Sequence, residues 1–364
     1  MNGPTTDNAS RPSAGFWLET WRGFRKRRLA VAALGFVLLL GTLAVASPFI
    51  AGVKPIAMSY KERLYFPALG YFARGWERPV QPADDFFGRY DEELFAKDPE
   101  SWAIWPPIYQ DPSRPVYGDQ EWPGLERNPQ QRNGAPSATN WFGTYKRGTD
   151  VFTRMLHGTR VTLLIGFVST GVAAAIGITV GAVAGYFGSW VDTLLSRLIE
   201  VVMCIPALVL VLALLAVIEK PSIWHVMLVL GATGWTGIAR LTRAEFLKLK
   251  TQDFVTAAQA IGVGRLRIMS RHVLRNALAP ILVPITFGIA GAILTESALS
   301  FLGLGPADAL SWGRLLQAGR ASNNEHWWLI VFPGAAIFLT VLAYNLIGEA
   351  LQEATDPRLK QASH

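Results

Sequence analysis

Six long apolar runs, set apart by short charged or glycine- and proline-rich intervals, leave this chain one solvent in which to fold. Residues 29–50, 161–187, 192–218, 223–241, 278–302 and 327–351 are each long and apolar. About twenty apolar residues in a helix cross the ~30 Å hydrocarbon layer of a bilayer. In that layer a backbone must close its own hydrogen bonds, as a helix does. The expected fold is therefore all-α and polytopic, with about six spans. Composition agrees: 51% of the 364 residues are hydrophobic and the mean hydropathy is +0.26. The net charge of +7 would suggest nucleic acid in a soluble protein. Here the basic residues flank apolar runs, so membrane orientation and anionic lipid account for them, with no nucleic-acid partner.

The charge distribution orders the chain. Residues 1–28 end in Arg22, Arg25, Lys26, Arg27 and Arg28, the mark of a cytoplasmic segment, and 29–50 reads as an uncleaved first span. Residues 51–150 form a long hydrophilic insert in which acidic and basic residues nearly balance, which suits the outer face. The insert holds Trp76, Asp84, Asp85, Asp91, Glu92, Glu93, Trp102, Trp105, Pro106, Pro107 and Trp122. So many tryptophans need something to bury against, either a small core of their own or an incoming cargo or delivery protein. A membrane core occupies 151–352, then a basic tail 353–364, so both termini are expected in the cytoplasm.

The polar interval 243–276 is the long basic break in the second half of the chain, and its charge assigns it to the cytoplasm. Phe254, Ala257, Ala258 and Ile261 fall at i, i+3, i+4 and i+7, one face of a short helix. Gly262 and Gly264 stop that helix, and Arg265 opens a second one leading back to the membrane. A short amphipathic helix between spans either lies on lipid or fits a groove on a soluble partner. The face here is one aromatic, two alanines and one isoleucine. Alanines bury little area, which favours a protein pocket over lipid.

T-A-A-Q-A-I-G, followed by R-H-V-L-R-N, resembles the EAA coupling loop of ABC importer permeases, more closely the C-type subunit of oligopeptide and dipeptide importers. The resemblance implies the type I importer permease fold with an extracytoplasmic insert. It also implies that Asp253, Phe254, Thr256, Ala257, Ala258, Gly262 and Arg265 dock into a cleft of a cytoplasmic ATPase. Thr256 stands where the family has Glu, and Arg275 where it has Pro. The Ala-Ala pair and Gly262, on which the packing is expected to rest, are kept. N-W-F-G-T-Y-K-R-G-T-D-V-F-T-R-M-L-H-G-T-R at 140–160 is similar to the family stretch before the second span. Gly143, Thr144, Gly148, Asp150, Arg154, Gly158 and Arg160 match, with Tyr145 in place of Asp. E-S-A-L-S-F-L-G-L-G at 296–305 and S-W-G-R-L-L at 311–316 also match. The likeness spans 140–358; a subset of peptide-importer permeases carries a comparable outer insert.

Within the spans, Gly177, Gly181 and Gly185 make a small-residue face for close helix approach. Arg197 and Glu200 are spaced to pair. Pro206 is expected to kink the third span, and Gly231, Gly234 and Gly237 to soften the fourth. Pro280 and Pro284 sit near the start of the fifth. The intramembrane carboxylate Glu296, with Ser297 and Phe301, is a pathway or gate candidate, weighed against a packing role. Cys204 reads as a small buried hydrophobe, His157 as an interfacial side chain and not a ligand, and Trp327 and Trp328 as interface anchors.

No phosphate-cradling G-x-x-x-x-G-K-[ST] loop, no H-E-x-x-H and no Ser/His/Asp grouping is present. One cysteine excludes an intrachain disulfide and a thiolate zinc site. The chain is expected to carry no catalytic, cofactor or metal site, so the energy for uphill transport comes from another polypeptide. The resemblance implies partners: a homologous second permease, two ATPase subunits binding ATP and Mg, and an extracytoplasmic solute-binding protein. It also implies an inner-membrane location and transport by alternating access, with peptides, modified peptides and nickel-type ligands all compatible as cargo. The rival reading is a secondary transporter driven by an ion gradient. That would need internal repeats and several intramembrane carboxylates, where the sequence offers chiefly Glu296 and no clear repeat.

Overall fold

A computed structural model describes residues 16–72, 100–113, 134–145, 148–306, 309–322 and 325–355. Trp76, Asp84, Asp85, Asp91, Glu92, Glu93 and Trp122, expected to characterise the insert, lie outside the described residues. A short helix α1 (Phe16–Arg25) leads into α2 (Arg28–Ile50). Strands β1 (Ala57–Tyr60), β2 (Arg63–Tyr65) and β3 (Trp102–Ile104) form an antiparallel sheet in the order β2-β1-β3. The short pair β4 (Thr144–Tyr145) and β5 (Thr149–Asp150) precedes α3 (Val151–Phe187). Then come α4 (Ser189–Met203), α5 (Ala207–Ala216), α6 (Ile223–Leu249) and α7 (Asp253–Ala260). The continuous helix α8 (Arg265–Phe301), α9 (Trp312–Ala321) and α10 (Trp328–Thr355) complete the chain.

Four helices, α2, α3, α8 and α10, are long and apolar enough to cross a membrane, and the bent pair α4–α5 makes a fifth. The sixth expected span is part of α6. Its 27 residues pack along α3, but its last turns carry Arg240, Arg243, Glu245 and Lys248, which lower its apolar character.

The α3–α6 pair is the most extensive helix contact, and the glycine face explains it. A Cβ at Gly177 would lie 2.7 Å from the Trp235 carbonyl oxygen, and one at Gly185 2.7 Å from that of Arg243. Gly181 faces the Ala239 carbonyl in the same way. In lipid there is little hydrophobic force between helices, so backbone approach of this kind supplies the packing. The pair is locked at its end by Lys250, whose Nζ donates to the Gly185 carbonyl at 2.9 Å, taking up one of α3's last free acceptors.

Several expectations are corrected. Pro206 does more than kink its span: α4 and α5 meet at 83°. Proline has no N–H to donate and disfavours the helical region for the residue before it, and Pro206 itself takes ψ 124°. Cys204, at that break, is exposed and not buried as expected. Gly231, Gly234 and Gly237 do not soften α6, which runs through them unbroken; Gly231 instead seats against Ser169 and Val172 of α3. Trp328 is not a surface anchor: it is 6% exposed and its Nε1 donates to the Thr144 carbonyl at 3.1 Å, while Trp327 stays exposed.

His157 is buried, where an interfacial side chain was expected, and it belongs to a row. Arg154, His157 and Arg160 share one face of the first turns of α3. Arg154 Nη1 donates to the Pro112 carbonyl (3.1 Å), His157 Nε2 bonds that of Ala51 (2.7 Å), and Arg160 bonds those of Tyr71 and Phe72 (3.0 and 3.1 Å). Three basic side chains thus fasten the base of the insert to the membrane core. Within the insert, Met58, Tyr60 and Tyr65 make a small core with Ala103 and Trp105.

Candidate coupling site and transport cleft

The segment after α6 turns twice within a few residues. Asp253 is the first residue of α7, an acidic group at the positive end of the helix dipole. At the far end, Val263 N–H reaches the Ala258 carbonyl and Gly262 N–H that of Gln259, both at 3.0 Å. These two bonds are a Schellman closure, which requires a left-handed residue, and Gly262 supplies φ +80°. A Cβ at Gly262 would touch nothing within 4 Å. Within this chain Gly262 serves the backbone, ending α7 as its spacing predicts.

The predicted apolar face is split. Val255 and Ala258 turn inward to a cluster with Phe246, Ile268, Val273 and Ala277. Phe254, Ala257 and Ile261 face outward, Ile261 with 81% of its surface exposed. Thr256 is exposed and bonds the Gln252 carbonyl, so nothing in the chain asks for Glu there. Arg265 is exposed at the start of α8, and Arg275 is exposed as well. A π-helical turn, Ile268–Val273, comes next, and Asn276 Nδ2 donates to the His272 carbonyl at 2.8 Å. Turns of this kind interrupt a helix ladder where a helix must bend or move.

Two residues missed as a site join this end to its neighbours. Arg243, near the end of α6, grips Asp192 of α4 through Nε and, at 2.8 Å, Nη2. Their signal in the sequence was one acid and one base at the charged edges of adjacent apolar runs. Arg197 and Glu200 also pair as expected, at 2.6 Å, but on an exposed face.

Glu296, Ser297 and Phe301 come together at the α8–α9 junction. Glu296 is 1% exposed, and its Oε1 accepts from Ser300 Oγ at 2.6 Å. Ser300 Oγ in turn accepts from Ser311 Oγ, the residue that caps α9. Gly313 lies against the Ser297 carbonyl, and the Arg320 guanidinium covers the Phe301 ring. These are packing contacts, and none of the three residues lines the cleft between α3, α5, α6 and α8. That cleft holds about 270 Å³, and beside small and hydroxylated residues its wall carries Val211, Leu230, Ile238 and Pro284.

Residues 177–361 match the model of the family described as the binding-protein-dependent transport system inner membrane component. The chain belongs to this family of inner membrane transport components. Residues 15–67 also match the N-terminal transmembrane domain of oligopeptide transport permease C. Among relatives, the dipeptide transport system permease protein DppC of Alkalihalophilus pseudofirmus is 39% identical over 236 residues, covering 65% of this chain and 77% of its own. The protein of the same name in Bacillus subtilis is 31% identical over 357 residues, covering 98% and 90%. The peptidoglycan transport system permease protein YejE of Agrobacterium fabrum is 33% identical over 360 residues, covering 93% and 92%. The last two alignments run through the insert. The family is one of transport permeases, and the chain is a multi-pass inner membrane component of it.

Proposed function

We propose that this chain is one permease subunit of an ATP-driven importer for peptides or peptide-like solutes, pairing with a homologous second permease. Two cytoplasmic ATPase subunits supply the energy, and an extracytoplasmic binding protein delivers cargo to the face that carries the insert. Both termini are cytoplasmic. The observation that carries this reading is α7: a short helix ended by a Schellman closure, packed inward through Val255 and Ala258, presenting Phe254, Ala257 and Ile261 to the outside. Such a surface fits a protein groove. Exposed Arg265, Arg267 and Arg271 ring it, offering charge pairs at the rim of a partner. Because α7 joins α6 directly to α8, displacing it tilts both helices together, the rigid-body step that alternating access needs. The dipeptide and peptidoglycan permeases to which the chain is similar support the cargo class.

Cysteine crosslinking tests this. With Cys204→Ser as background, Phe254→Cys in the co-expressed complex crosslinks to the ATPase subunit. Labelling of that cysteine by lipid-dissolved reagents alone, with no ATPase crosslink, contradicts the reading.

A further inference from the structure

The two faces of α1 differ in what they touch. Thr20 and Phe24 are buried, Phe24 in a small cluster with Ala30 of α2 and Ala350 of α10. A Cβ at Gly23 would stand 3.3 Å from that of Ala354. This face seats α1 on the last turns of α10. The other face carries Leu18, Trp21, Arg22 and Arg25, at i, i+3, i+4 and i+7, and all four are exposed. The Trp21 ring is held there by stacking on Phe24, with centroids 5.7 Å apart.

Charge and position narrow the occupant. Arg27 is tied to Glu353 of α10. Arg22, Arg25, Lys26 and Arg28 are exposed and make no ion pair among the described residues. So dense a basic cluster calls for a negative surface. The span α2 starts at Arg28, and Leu29 is 71% exposed, so α1 stands at the level where hydrocarbon meets headgroups. Tryptophan favours that level, and arginine and lysine there bury their stems and send the charge to water or phosphate. The outward face of α7 is a different surface: Phe254, Ala257 and Ile261 include no tryptophan, and its arginines follow it in α8. On α1 the apolar and basic side chains share one face, the pattern of a helix lying in the membrane interface.

We propose that the outward face of α1 is a binding surface for anionic lipid, in the leaflet that meets the start of α2. Leu18 and Trp21 enter the acyl boundary, and Arg22, Arg25, Lys26 and Arg28 meet lipid phosphates. Because its other face grips α10 and its end runs into α2, the bound lipid fastens the first and last spans at one edge. The surface requires only that α2 crosses the bilayer, whatever the cargo. The test uses the co-purified complex in a Cys204→Ser background, with a fluorophore on Leu18→Cys. It is reconstituted in phosphatidylcholine holding a minor share of phosphatidylglycerol. A shallow nitroxide is placed either on the phosphatidylglycerol or on an equal amount of phosphatidylcholine. The phosphatidylglycerol nitroxide should quench more strongly, and the excess should vanish at high salt and in Arg22→Gln/Arg25→Gln/Lys26→Gln. A fluorophore on Leu38→Cys, exposed farther along α2, should show no such preference. Equal quenching by the two lipids at Leu18→Cys, an excess untouched by the triple variant, or the same excess at Leu38→Cys overturns the anionic-lipid assignment. Quenching by neither lipid overturns it too, and gives the face to a protein partner.

Discussion

Single residues in this permease act mostly through the backbone they permit. Gly262 holds φ +80° in open space, so its replacement is a conformational matter and not a steric one. A left-handed non-glycine residue costs roughly 1–2 kcal/mol, and asparagine less. Gly262→Leu should therefore lower uptake per ATP hydrolysed, while Gly262→Asn stays near wild type; equal defects in the two would point to lost packing instead. Gly181 is the opposite case. Its side-chain space is filled by α6 backbone, whereas a Cβ at Gly171 meets nothing within 4 Å. Gly181→Leu should cost at least about 1–3 kcal/mol through overpacking. Gly171→Leu should leave the melting temperature in detergent unchanged.

At the scale of elements, the account has motion pass through the charge pair and α7. Arg243 and Asp192 tie α6 to α4 beside α7. A double-mutant cycle with Arg243→Gln and Asp192→Asn should show a coupling energy of about 0.5–3 kcal/mol in thermal unfolding. Additive losses would mean the pair does not act as a unit. Much at this scale was legible in the sequence. The glycine face of α3 and the placing of α7 between two turns come from local spacing, which a linear chain displays. The split of the α7 face was not legible, since helical periodicity groups Ala258 with Phe254 but cannot say that Ile268 and Val273 cover one and not the other. The 83° corner at Pro206 was underestimated because proline announces a break but not the direction in which the next helix leaves it. His157 and Trp328 were misplaced for a related reason. Their partners, Ala51 and Thr144, lie 106 and 184 residues away.

For the molecule as a whole, the segment after α2 is fastened by three side chains of α3 to a helical core that carries α7. The fastening predicts a mechanical link. Arg160→Met removes two hydrogen bonds to the Tyr71 and Phe72 carbonyls, and should raise hydrogen exchange in β1 and β2 without altering that of α6 or α8. Unchanged exchange in the sheet would show that Arg154 and His157 suffice. The core's central claim is that nucleotide-driven movement enters through α7. The direct measurement is the ratio of peptide taken up to ATP hydrolysed, in proteoliposomes holding the complex with Phe254→Ala and Ile261→Ala together. A complex that assembles and hydrolyses ATP while the ratio falls at least about tenfold fits the loss of two exposed anchors from a docking face. A ratio equal to that of the wild type would contradict the account.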